Sequence, residues 1–185
     1  MQHICAHCNL TPLPPIHLSL STTVHPAILP RLLNNQVTLP TPFTIQNWTD
    51  ALISSNTETH HSSPICPTCS SDTQIATTFL QPSPYLHFEI PPEMTNSVLP
   101  SRMLTISNVN MPADHYFLRG IIYHGQLHFT ARLITMENVA WTYDGQLNMG
   151  IPIREDSSTD DVERLMTLQG RKAYVYVYQH MSHPV

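Results

Sequence analysis

Residues 116–144 read YFLRGIIYHGQLHFTARLITMENVAWTYD. The stretch predicts a strand, a tight turn, a second strand, a second turn and a short third strand, with FLRGIIYHG and HFTARLIT as hairpin partners. His128 opens the strand after the first turn, and Asp144 ends the strand after the second. Such a sheet can bring the two side chains side by side, although His128 taken alone reads as a strand-end histidine on a half-wet hairpin. A carboxylate so placed holds the tautomer of the imidazole, and the imidazole can activate a thiol.

Further landmarks follow in order: Tyr116-Phe117-Leu118, His124-Gly125, His128-Phe129-Thr130-Ala131, Trp141-Thr142-Tyr143-Asp144 and Ala173-Tyr174-Val175-Tyr176-Val177-Tyr178. Upstream, Pro84-Tyr85-Leu86-His87-Phe88-Glu89-Ile90 alternates strictly. Together they resemble the last part of the ubiquitin-specific protease catalytic domain, a papain-like cysteine protease. In that family a Tyr-x-Leu strand leads to a His-x-Gly turn, then to the catalytic histidine, then to an aromatic strand ending in Asp or Asn. The resemblance implies that His128 is the general base and Asp144 its orienter. It makes His124 a turn residue. Leu127 stands where a glycine usually precedes the histidine, Phe129 stands for tyrosine, Gly145 replaces a common second acid, and Trp141 is one residue nearer the aspartate than usual.

Moving outward, a chain of 185 residues predicts one domain with a real core. Only 11% of residues are charged, and the 17 prolines are about twice the ordinary share. Loops and strands suit that composition better than long helices. The net charge of -5 and eight Lys plus Arg argue against nucleic acid or an acidic membrane as partner. There is no apolar run of about 20 residues to span a bilayer. The start, MQHICAHCN, has no signal-peptide pattern. These features predict an intracellular protein, cytoplasmic or nuclear, whose cysteines are not in structural disulfides.

Two regions are expected, 1–82 and 83–185. In the first, IHLSLST from Ile16 and the piece 73–80 read as strands, and 58–64 as a loop. TIQNWTDALISSN from Thr44 reads as a short helix, with Thr44 as N-cap and Ile45, Trp48, Leu52 and Ile53 on its apolar face. In the second, RMLTISN from Arg102 and the closing AYVYVYQH read as strands. SSTDDVERLMTLQG reads as a short helix with Gly170 as C-cap.

The first region also holds the only four cysteines, as Cys5-Ala6-His7-Cys8 and Cys66-Pro67-Thr68-Cys69. Two residues between sulfurs let both face one ion, and four thiolates suit a tetrahedral structural Zn2+. The span 9–65 between the knuckles is far longer than in a compact zinc ribbon. By the same resemblance, 1–82 is a fingers-like extension clamped by zinc, and 83–185 is a palm-like region carrying the His/Asp pair. Cys5 or Cys8 as nucleophile is disfavoured, because the prolines of HICAHCNLTPLPP forbid the helix that carries the family's thiol. Six other histidines read as bystanders: His60 and His61 in a polar loop, His3 and His7 beside thiols that already suffice, His180 and His183 in a tail.

The expected fold is α+β: a papain-like palm with a mainly antiparallel sheet and a zinc-clamped fingers extension. The expected function is that of the C-terminal part of a thiol isopeptidase removing ubiquitin or a ubiquitin-like modifier. The nucleophile-bearing thumb segment lies outside these residues, so the chain alone is expected to be inactive. The other expectation is a non-catalytic, zinc-containing ubiquitin-binding module.

Overall fold

The computed structural model describes residues 2–4, 20–23, 42–54, 69–70, 74–76, 83–107, 112–156 and 159–181. Its elements are β1 (Gln2–Ile4), β2 (Leu20–Thr23), β3 (Phe43–Thr44), α1 (Ile45–Ser54), β4 (Gln74–Ala76), β5 (Tyr85–Glu89), β6 (Val98–Leu99), β7 (Met103–Ile106), β8 (Asp114–Gly125), β9 (His128–Ile134), β10 (Ala140–Tyr143), β11 (Ile153–Arg154), β12 (Thr167–Leu168) and β13 (Arg171–His180). The larger sheet has nine strands in the order β11-β10-β9-β8-β13-β5-β2, with β12 joined to β13 and β7 to β8. All its pairings are antiparallel except β2 with β5. Mostly antiparallel sheet with few helices is the architecture the alternating pattern predicts.

The long strands β8 and β13 form the middle of this sheet. Their pairing skips Arg119 and Tyr174, two irregularities in the ladder. Each skip reverses which parity faces inward. Tyr116 and Leu118 are buried before Arg119, and Ile121 and Tyr123 after it. Ala173 is buried before Tyr174, and Tyr176 and Tyr178 after it. The inward set meets Leu86 and Phe88 of β5, Leu104 and Ile106 of β7, and Ile45 and Trp48 of α1 in one core. Each large side chain fully buried there contributes roughly 1.5–3 kcal/mol. The buried tyrosines keep their hydroxyls satisfied: Tyr123 donates to the Leu165 carbonyl, Tyr176 to the Val98 carbonyl, and Tyr178 accepts from the Ser101 amide. Burial pushes all three phenols well above their ordinary pKa, so they stay neutral.

Helix α1 starts as the sequence predicts. The Thr44 hydroxyl accepts from the Asn47 amide at 3.2 Å, and the Asn47 side chain accepts from the Thr44 amide at 3.0 Å. This reciprocal cap satisfies two backbone donors that the first turn leaves over. The Gln46 side chain then exchanges two hydrogen bonds with the Thr105 backbone of β7. Thus α1 and β2, both from the first 82 residues, join the body of the larger sheet.

Two expectations are corrected. The helix over 157–170 is a single 3₁₀ turn, Arg164–Met166, followed at once by β12. Gly170 therefore caps no helix. With Gln169 it forms the positive-φ turn that returns β12 into β13. Long-range bonds explain the outcome, since Tyr123 and Arg132 both donate to carbonyls of this segment, those of Leu165 and Arg164. His180 is no tail residue either. It ends β13, is buried, and pairs with Asp114 at 3.1 Å. The strand from Ile16 is described only over Leu20–Thr23, and that from Thr73 only over Gln74–Ala76. The loop 58–64 lies outside the described residues.

Candidate active site

Parity places the two side chains. Strand β9 faces Thr130, Arg132 and Ile134 inward, so His128, two residues before Thr130, points to the same face. Thr142 of β10 pairs with Arg132, and Asp144 is two residues further along. Both side chains therefore emerge on one face, at one end of neighbouring strands. His128 Nε2 lies 2.9 Å from Asp144 Oδ1.

The carboxylate is held from its own loop as well. The Gln146 amide donates to Oδ1 at 2.9 Å, so Asp144 and Gly145 open a tight turn. That amide bond, then the His128 hydrogen bond and charge, hold the Asp144 carboxyl below the ordinary carboxylate range despite its burial. At neutral pH it is ionised and can only accept. Nε2 must then carry the ring proton. In the neutral imidazole the lone pair is on Nδ1, which has no partner among the described residues. The arrangement holds the ring through Nε2 and leaves the Nδ1 lone pair of the neutral imidazole open to accept a proton.

Next to the pair lies a charged cluster that sequence reading missed. Arg132 is only 7% exposed. Its Nε donates to Glu155 Oε1 at 2.7 Å, and its Nη1 to the Tyr123 hydroxyl at 2.6 Å. Thr142 Oγ1 donates to the same Glu155 oxygen at 2.6 Å. The cluster ties together β8, β9, β10 and the segment after β11. An arginine at an inward parity position of a strand, in so weakly charged a chain, was the available signal.

Of the proposed zinc ligands, only Cys69 is described; Cys5, Cys8 and Cys66 lie outside the described residues. Strands β1 and β4 pair antiparallel, with Ile4 opposite Gln74. In the sequence Cys5 directly follows Ile4, and Cys69 precedes Gln74 by five residues. Among the described residues no group of three or more His, Cys, Asp and Glu could hold a metal.

No family model matches the chain, and no curated protein matches it. Solved structures do. A chain of the SAGA DUB module Ubp8/Sgf11/Sus1/Sgf73 bound to monoubiquitin is similar, with TM-score 0.57 and 14% identity over 97% of this chain and 39% of that chain. A yeast SAGA DUB module with an Sgf73 mutant gives TM-score 0.59 and 14% identity, with the same shares covered. The same module bound to ubiquitin aldehyde gives 0.56 and 13%, over 97% of this chain and 40% of that chain. The likeness is one of fold: this chain folds like part of a deubiquitinase-module chain. It spans about two fifths of the length of those solved chains.

Proposed function

We propose that this chain is the base-bearing, C-terminal part of a thiol isopeptidase that removes ubiquitin or a ubiquitin-like modifier. The observation that carries this reading is the His128 Nε2 to Asp144 Oδ1 bond, which leaves Nδ1 as the free base. The fold likeness to modules bound to monoubiquitin and ubiquitin aldehyde supports ubiquitin as the partner.

The chemistry follows from the geometry. A thiol supplied by a nucleophile-bearing segment gives its proton to Nδ1 and attacks the carbonyl at the modifier's C-terminus. The imidazolium then returns that proton to the departing amine, and the acyl group stays on sulfur. Water, deprotonated by Nδ1, releases the modifier and restores the thiol. Asp144 keeps the ring turned and stabilises the imidazolium throughout.

Cys5, Cys8, Cys66 and Cys69 are proposed to hold one structural Zn2+ that clamps a fingers-like extension over 1–82. The β1–β4 pairing supports this, because Ile4, the sequence neighbour of Cys5, pairs with Gln74, five residues after Cys69. Zinc there would tie the two knuckles into one folded unit and take no part in hydrolysis. The region 83–185 is read as a papain-like palm. No helix among the described residues is long and apolar enough to cross a membrane; an intracellular location, cytoplasmic or nuclear, is part of this proposal, and so is the absence of a nucleic-acid partner.

The test joins the chain to a nucleophile-bearing segment and treats it with ubiquitin carrying a C-terminal vinyl sulfone. A covalent adduct lost in His128→Ala supports the isopeptidase. Ubiquitin binding with no adduct would leave the non-catalytic binding module, and no binding at all would overturn both.

A further inference from the structure

A cavity of about 270 Å³ lies beside β8, the end of β9 and the segment ahead of β12. Phe117, Leu118, Ile134 and Leu165 form its apolar walls, and Arg102 and Thr159 its polar side. It is set apart from the His128–Asp144 pair. Ile134 is the last residue of β9 and His128 the first, about 20 Å apart along the strand.

An apolar cavity of about 150 Å³ takes benzene, so this one has room for a six-membered ring with a short chain. The Leu118 amide donates to the Arg102 carbonyl at 3.0 Å, which fixes Arg102 beside the apolar wall. The Arg102 guanidinium donates to Asp160 Oδ1 and, at 3.4 Å, to the Thr159 hydroxyl. Thr159 is buried and held in turn, its hydroxyl donating to the Asn138 carbonyl at 3.1 Å. Asp160 differs. Its side chain is 77% exposed and that of Arg102 34%, and a pair so open to water contributes little. A carboxylate whose body also fills the cavity can therefore replace Asp160 on the guanidinium, whose planar fork suits two oxygens. A second cation favours an anion here. Arg119 lies 5.5 Å over the Phe117 ring, and its buried Nε has no hydrogen-bond partner among the described residues. Glu137, the acid whose charge acts with that of Arg119, is exposed.

We infer that this cavity is a binding site for a small apolar carboxylic acid, its body against Phe117 and Leu165 and its carboxylate on Arg102 in place of Asp160. The site is independent of the function proposed above. The occupant is small because the cavity has room for one ring and a short chain. It carries one carboxylate because the polar side offers a single guanidinium whose present partner is weakly held.

The experiment titrates 3-phenylpropionate into the whole chain and reads amide chemical shifts. Saturable shifts are expected at Leu118, Ile134 and Leu165, with His128 unmoved. 3-Phenylpropan-1-ol, which lacks the charge, is expected to bind about tenfold more weakly, and so is the acid to Arg102→Gln, as for the loss of one charge-assisted hydrogen bond. Asp160→Asn removes the competing carboxylate and is expected to tighten binding severalfold, a gain that a purely structural role of the pair would not give. Thermal midpoints check that both variants keep the fold; where Arg102→Gln lowers its midpoint, Asp160→Asn decides. Shifts that do not saturate, equal binding of acid and alcohol, or variants that bind as the wild type does would overturn the site. An acetylated peptide ending in phenylalanine that binds more tightly than the free acid would overturn the small-molecule assignment.

Discussion

Thr142 faces Arg132 across the β9–β10 ladder, and both side chains donate to the same oxygen of Glu155. The carboxylate thus locks the register that sets Asp144 beside His128. Glu155→Gln removes the charge and leaves the Arg132 guanidinium buried without a counter-ion. We expect a loss of about 3 kcal/mol, read from chemical denaturation. Replacing the pair together, as Arg132→Met with Glu155→Leu, is expected to cost less than the single change, because no lone charge remains.

Acid should loosen the site through Asp144. Its folded pKa lies below the unfolded value of about 3.9, so its contribution is complete above that value. The contribution disappears as pH falls through the lower, folded value. Asp144→Asn removes this titration while leaving an oxygen to accept from Nε2. The stability gap between wild type and Asp144→Asn is expected to close as pH falls through the folded value of Asp144. A gap that widens in acid would contradict the sign.

Zinc is open to elemental analysis. Freshly purified, reduced chain is expected to carry about one zinc per molecule. Cys5→Ser or Cys66→Ser is expected to lose the metal and to lower the thermal midpoint. Metal-free protein with an unchanged midpoint would remove the clamp from the proposal.

Once the four thiols are committed to zinc, these 185 residues hold no further cysteine to attack a carbonyl. The chain by itself is therefore expected to leave a ubiquitin–fluorophore substrate uncleaved and a ubiquitin vinyl sulfone unreacted. Labelling at Cys5 or Cys8 would show that the N-terminal knuckle is an active site rather than a metal clamp.

The hairpin was readable because its information is local. The runs FLRGIIYHG and HFTARLIT flank a short turn, and Asp144-Gly145 marks the next one. The α1 cap was readable for the same reason, since Thr44 and Asn47 are three residues apart. What escaped depends on distant partners. The stretch from Asp161 to Leu168 has helix-forming residues, yet Tyr123 and Arg132, about 30 to 40 residues earlier, bind its carbonyls in another conformation. His180 looked like tail because its partner, Asp114, lies at the far end of β8. The ring nitrogen left open was equally hidden: the sequence names the histidine, and only the bond from Nε2 leaves the Nδ1 lone pair unengaged.

The connection between β9 and β10 has a bearing on how this protein could vary in length. Ile134 and Ala140 are the last paired residues, and Thr135 closes the intervening loop on Val139. Residues 135–139 can therefore gain or lose a position without disturbing either ladder. One residue added between His128 and Ile134, or between Ala140 and Asp144, would turn one partner to the opposite side of the sheet, whereas two would restore the side but displace the partner along the strand. Between His128 and Asp144, length variants that keep the pair intact should thus be confined to that five-residue loop, whatever substitutions accumulate around it.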